Sequence, residues 1–283
     1  MISMQLAEAA KEDIPAAKLK EILPKSYLGF QDVFCKESFD ELPEQKQWDH
    51  AIDLKPESQP FSSKVYPMSP IKQKEHDDFL KENLSSGHLH PLKSPMASPV
   101  FFVMKKDGKL RFFQDYQNLN AMTVKNTYPL PLVPDIINQI SDSKARYFTK
   151  LDVHWGYNNV RIKEGDKWKA TFQTNRGLFK PLVMFFSLTN SPATFQTMMN
   201  DIFKDLIDKG YVAVNMDDIL VYTRMIKHHR EVVTRVLDIL RKHQLYLKAE
   251  TCTFECTTVE YLGLVLSEGQ VEMDPGKITG VRD

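Results

Sequence analysis

The chain has 283 residues, 42% hydrophobic and 26% charged, which suffices for a substantial core and two subdomains. Lys+Arg and Asp+Glu are equal at 37, so net charge is zero. This excludes a polycation that holds nucleic acid by bulk charge, and any such binding must come from local patches. The three cysteines, Cys35, Cys252 and Cys256, are too few for a disulfide framework and suit a reducing compartment. There is no signal-like apolar core and no 18-residue apolar run, so a soluble, intracellular protein without membrane contact is expected.

Residues 1–25 alternate Ala/Leu with Lys/Glu and read as a helix or a disordered lead-in. Residues 26–68 carry Pro, Ser and isolated aromatics without a sustained period and read as an extended arm over a domain surface. Ser69-Pro70 then opens a helix that Gly87 ends, because Ser caps well and Pro suits the first helical position. Val100 to Met104 and Leu110 to Phe113 are strands around the hairpin turn Lys106-Asp107-Gly108-Lys109. With Lys105 and Arg111 this hairpin forms a basic patch in a neutral chain, or simply a solvated tip.

Asp115 to Met122 and Pro134 to Ser141 read as helices, and Tyr147 to Val153 as a strand, with Gly156 marking where the chain turns. Trp168 to Thr174 and Leu178 to Phe186 read as strands joined at Asn175-Arg176-Gly177. Ser191-Pro192 starts a helix with Phe195, Met198, Met199 and Ile202 at helical spacing, and Ile226 to Leu245 is a long amphipathic helix. Short strands follow at Cys252 to Phe254 and Val259 to Leu266. Hairpins and helices mix without a βαβ rhythm, which points to an α+β fold. Cys252 and Cys256 with His228 and His229 lack zinc-ribbon spacing and read as buried thiols.

Between the last two helices lies Val214-Asn215-Met216-Asp217-Asp218-Ile219-Leu220, two β-branched runs flanking two acids. Alone, this reads as a solvated hairpin turn. Asp152, at the end of the 147–153 strand, is the candidate third carboxylate. Three acids on neighbouring strands can hold two hard cations through oxygen ligands, and without cations they repel one another. Two metals about 4 Å apart stabilise attacking and leaving oxygens in phosphoryl transfer.

Four motifs occur in order. They are Phe148-Thr149-Lys150-Leu151-Asp152 with Gly156-Tyr157, the run Asn190 to Gln196, Met216-Asp217-Asp218-Ile219-Leu220, and Tyr261-Leu262-Gly263. Together they resemble the reverse transcriptase domain of gypsy-class long-terminal-repeat retrotransposons, over residues 45–283, with 1–44 as an N-terminal lead-in. The resemblance implies a right-hand polymerase of interleaved fingers and palm, with an antiparallel palm sheet packed on helices. The palm core would span about residues 145–225 and a primer-holding hairpin about residues 252–267.

By similarity, Asp152 and Asp217 hold two Mg2+ ions, which Mn2+ can replace, with Asp218 in support. Lys105 and Arg111 match residues that grip the triphosphate, and Tyr157 matches the aromatic that excludes a 2′-hydroxyl. Phe186 matches a residue lining the nucleotide pocket. The implied reaction is dNTP addition to a primer on an RNA or DNA template. The implied setting is a cytoplasmic retroelement particle with nuclear entry, beside RNase H and integrase portions of one polyprotein. The chain departs from the family's usual residues at Asn215 (Tyr), Ser187 (Gly), Gln117 (Arg) and His154 (often Arg). These departures keep a rival open: a decayed relic acting as a nucleic-acid-binding or scaffold domain.

Overall fold

The structure is a computed structural model, and it describes residues 19, 21–34, 42–104, 110–185 and 187–273. After a 3₁₀ segment, Lys25–Phe34, come helix α1 (Pro70–Ser85) and strands β1 (Leu89–Pro91), β2 (Val100–Met104) and β3 (Leu110–Gln114). Helices α2 (Gln117–Met122) and α3 (Val133–Ser143) precede β4 (Tyr147–Asp152), β5 (Phe172–Thr174) and β6 (Gly177–Pro181). Next are α4 (Ser191–Ile202), α5 (Lys204–Asp208), β7 (Val212–Asn215), β8 (Asp218–Thr223) and α6 (Ile226–Lys242). The described chain closes with β9 (Thr253–Cys256), β10 (Thr258–Tyr261), β11 (Leu264–Ser267) and β12 (Gln270–Met273). Two compact units share these elements.

The first unit contains Asp40–Thr127 and Tyr157–Phe195. Its helix α1 starts as its sequence requires, with Ser69 accepting from the Lys72 amide and Pro at the first turn. Phe79 of α1 stacks on Phe112 of β3 at 4.1 Å, and Phe112 meets Phe102 and Phe172 edge-on. The β2–β3 hairpin pairs in unbroken register from Val100↔Gln114 to Met104↔Leu110. Its basic tip, including Lys105, lies outside the described residues. A second sheet has the order β1-β6-β5. Its strands are shorter than the apolar runs suggest, because Trp168 to Ala170 and the stretch after Pro181 turn instead of extending. The extended arm is present between His50 and Ser62, held by bridges His50↔Ile162, Leu54↔Thr123 and Ser62↔Ala97.

The second unit contains Asp13–Phe39, Tyr128–Gly156 and Gln196–Asp283. Its main sheet has the antiparallel order β7-β8-β4-β9. Ile219 to Thr223 of β8 are all buried, so this central strand reads as a continuous apolar run without alternation. One side of the core gathers Ile136, Ile140, Phe148, Leu220, Tyr222 and Tyr261. Helix α6 buries Val232, Val233, Val236, Leu237 and Leu240, the stripe its 3.6-residue period prescribes.

Residues 25–34 belong to this unit and do not join the arm. Tyr27, Phe30, Val33 and Phe34 are buried at a spacing near three, which a 3₁₀ helix brings to one face. Arg241 of α6 holds Asp32 through two hydrogen bonds of 2.6 and 2.5 Å and lies 4.4 Å over the Phe30 ring. Among the described residues, no helix is long and apolar enough to cross a membrane.

Candidate active site

Asp152 and Asp218 stand opposite each other, as the last register pair of β4 and β8. Asp217 lies in the two-residue turn between β7 and β8, where Asn215 pairs with Asp218. The amide of Val153 donates to the Asp217 carbonyl at 2.9 Å, so the turn is tied to the end of β4. The three sequence-predicted acids thus come together where the two inner strands of the second unit's sheet, β4 and β8, end.

The three carboxylates are held differently. Thr251 donates its hydroxyl to Oδ2 of Asp152 at 2.7 Å. Lys150, two residues back on the same strand, places its ammonium 3.5 Å from Oδ1 of Asp218. Oδ1 of Asp217 is buried and accepts no hydrogen bond. Burial, then the charges of Asp152 and Asp218, push the Asp217 carboxyl from its ordinary 3.8 up to about 6. A buried, partnerless carboxylate oxygen beside two further carboxylates fits a cation in charge and in donor type. Among the described residues, no group of three His, Cys, Asp or Glu side chains is already arranged as a cage, so the acids would turn to close on an ion.

The turn itself is strained. Met216 has a φ of +56°, in the left-handed region that Gly occupies freely and a long side chain does not. A brace opposes the strain. Gln196, 0% exposed on α4, accepts from the Met216 amide at 2.8 Å and donates to Asn200 Oδ1 at 2.8 Å and to the Val214 carbonyl at 3.3 Å. In the sequence Gln196 is only one letter of a motif, and nothing in its spacing marks it as the support of Asp217.

The remaining predicted site residues fall in the first unit or outside the description. Arg111 is exposed on β3 opposite Val103. Tyr157 is half-buried, its ring 5.3 Å from that of Phe195. Lys105 and Phe186 lie outside the described residues. Ser187 presents a buried hydroxyl without a hydrogen-bond partner, while its carbonyl accepts from Asn120 at 2.9 Å. Cys252 and Cys256 are free thiols, and burial pushes Cys252 up to about 12, which makes it inert. His229 is buried between the Thr149 and Thr223 hydroxyls at 2.8 and 3.0 Å, a structural role.

The family model described as "Reverse transcriptase (RNA-dependent DNA polymerase)" matches residues 103–266. The transposon Tf2-3 and Tf2-7 polyproteins of Schizosaccharomyces pombe are each 33% identical over 247 residues, covering 87% of this chain. The chain spans 18% of the length of these relatives. Among solved structures, the foamy viral protease-reverse transcriptase in complex with RNA/DNA hybrid matches with a TM-score of 0.78 at 18% identity, over 95% of this chain and 38% of that one. The prototype foamy virus protease-reverse transcriptase CSH mutant matches at 0.76 and 22% identity, over 90% and 35%. The α+β polymerase fold expected from the motifs is the fold observed.

Proposed function

Because the chain belongs to the reverse transcriptase family, as a domain of the gypsy-class retrotransposon polyprotein type, we propose that it is an RNA-directed DNA polymerase that adds dNTPs to a primer 3′-end. Asp152, Asp217 and Asp218 are its catalytic carboxylates. The observation that carries this reading is the buried, partnerless Asp217 oxygen beside the register pair Asp152↔Asp218. Asp152 and Asp217, with Asp218 in support, would hold two Mg2+ ions, or Mn2+ in their place. When bound, these supply Lewis-acid activation of the primer 3′-hydroxyl and charge neutralisation at the leaving pyrophosphate.

The chain's own residues do the rest. The paired ends of β4 and β8 fix the three acids relative to one another, and Gln196 keeps Asp217 at the tip of its turn. Arg111, whose planar fork suits phosphate oxygens, and Lys105, by position, grip the triphosphate. Tyr157 closes the space a 2′-hydroxyl would need, and Phe186, by similarity, is assigned to the lining of the nucleotide pocket. Template and primer are RNA or DNA, held by contacts that weaken steeply with salt. The working context is a cytoplasmic retroelement particle with nuclear entry, with RNase H and integrase portions of the same polyprotein as partners.

One observation favours the rival reading of a decayed copy. Ser187 buries a hydroxyl with no partner, an arrangement that costs about 1–3 kcal/mol, and Asn215 stands opposite Asp218. Primer extension on an RNA template with Mg2+ separates the two. The polymerase reading expects extension by the wild type and none by Asp217→Asn. Equal background from both, with activity gained in Asn215→Tyr plus Ser187→Gly, would establish decay.

A further inference from the structure

Asp152 sits in a bracket built by the connector between α6 and β9. Leu247, 3% exposed, forms a bridge with Val153, and its amide donates to the Val33 carbonyl at 2.8 Å. The next amide, that of Lys248, donates to the Asp152 carbonyl at 3.0 Å. The chain then makes a single 3₁₀ turn, Ala249–Thr251, anchored by the buried Ala249, before β9 pairs with β4. This turn brings the Thr251 hydroxyl to Asp152 Oδ2 at 2.7 Å.

The same hydroxyl oxygen lies 3.0 Å from the Lys248 carbonyl. A hydroxyl has one proton, and both neighbours are acceptors only. The nearer and charged acceptor takes it, because hydrogen bonds to ionised oxygens are shorter and stronger. Thr is also stiff at χ1, so the donor is pre-aimed. The contrast with Asp218 sets the sign of the effect. Lys150 offers Asp218 a positive charge that competes with any cation, whereas Thr251 is neutral and occupies one oxygen of Asp152 while leaving the other.

We propose that Thr251 is the positioning residue of Asp152, its hydroxyl holding Oδ2 so that the carboxylate presents its other oxygen to a divalent cation. This deepens the polymerase reading and rests on it. Partners that orient a metal ligand typically contribute roughly tenfold or more in affinity. The test is Mn2+ binding to the full chain without nucleic acid, by electron paramagnetic resonance titration, for wild type, Thr251→Val and Thr251→Ser. Valine keeps the shape and removes the hydroxyl, and serine restores it.

The expected result is Mn2+ affinity about tenfold weaker in Thr251→Val and within about twofold of wild type in Thr251→Ser. The Mg2+ concentration for half-maximal primer extension should shift by the same factor. Equal or tighter Mn2+ binding by Thr251→Val, or serine as weak as valine, would overturn the proposal. So would a lowered metal-free melting temperature with unchanged affinity, which marks a merely structural threonine. A wild type that neither binds Mn2+ nor extends a primer beyond Asp217→Asn sinks the polymerase reading itself and takes the proposal with it.

Discussion

Among the two-residue hairpin turns of the second unit, two are built on opposite plans. At Leu262-Gly263, between the paired residues Tyr261 and Leu264, both central residues have positive φ, +52° and +79°. That is what a type I′ turn requires, and Gly takes the second position without steric cost. The backbone ladder holds this turn closed. At Met216-Asp217, between Asn215 and Asp218, there is no glycine, only the first residue has positive φ, and a buried glutamine from α4 braces it. One turn follows from its own residues, and the other is held by its surroundings. Non-glycine residues in sparse regions of φ/ψ cost about 1–3 kcal/mol and persist where the surrounding structure over-determines them. Leu262 carries the same kind of cost as Met216, but the turn with no glycine and with a brace from another helix is the one that carries the half-buried acid.

The strongest way to break the comparison is to neutralise that acid. Asp217→Asn should lower primer extension by at least about a thousandfold, since it removes a metal-ligating charge. The same change should stabilise the chain without metal. The Asp217 carboxyl is raised from 3.8 to about 6, first by burial and then by its two acidic neighbours. Between those values the folded state keeps a proton that the unfolded state has lost, so wild-type stability falls as pH rises through that window. Above about pH 6 the full cost is in place. Two pH units correspond to about 3 kcal/mol, and partial solvent access reduces this to about 1–2 kcal/mol. Thermal melts should show Asp217→Asn a few degrees above wild type at pH 7.5 and level with it near pH 4. Added Mg2+ should raise only the wild type.

Removing the brace comes next. Gln196→Met preserves length and apolar packing but leaves the Met216 amide without its acceptor. An unsatisfied buried donor costs about 1–3 kcal/mol, so the midpoint in urea should fall accordingly. Primer extension should fall about tenfold, because Asp217 loses its fixed position. A Gln196→Met variant with wild-type stability would mean that the turn closes unaided, as its counterpart at Leu262-Gly263 does.

How far each turn can be read in the sequence follows from the same difference. Val259 to Leu266 reads as one strand in the sequence, but Leu262-Gly263 folds it into β10 and β11, with a glycine supplying one of the two positive φ angles. The strands β2 and β3 are legible from their β-forming residues on either side of a turn-rich stretch. The long stripe of α6 is equally local, a 3.6-residue period carried through Val232, Val233, Val236, Leu237 and Leu240. The acids themselves are legible as residue types on strand ends. Their supports are not. Gln196 and Thr251 are ordinary polar residues whose roles depend on partners 20 and 99 positions away. The 25–34 segment escapes a helical-period search because its aromatics repeat near three. The three-residue strand β1 ends in Pro and is too short to show alternation. Ser187 departs from the residue usual in the family, but only its burial shows that its hydroxyl is left without a partner.

The smallest effects should have opposite signs at the two turns, and this is what makes them informative. Gly at Met216 relieves a left-handed φ of +56°. Relief of about 1–3 kcal/mol is offset by the extra freedom that Gly gives the unfolded chain, about 0.5–1 kcal/mol, so Met216→Gly should gain about 1 kcal/mol net. Ala at Gly263 imposes a Cβ at φ +79°, and Gly263→Ala should lose about 1 kcal/mol. Urea denaturation of the two variants reads both signs. Met216→Gly should also extend primers a few-fold more slowly, since a relaxed turn no longer presses Asp217 against its neighbours. If glycine at Met216 destabilises the chain, the backbone there is not strained, and Gln196 is an ordinary core hydrogen bond that opposes nothing.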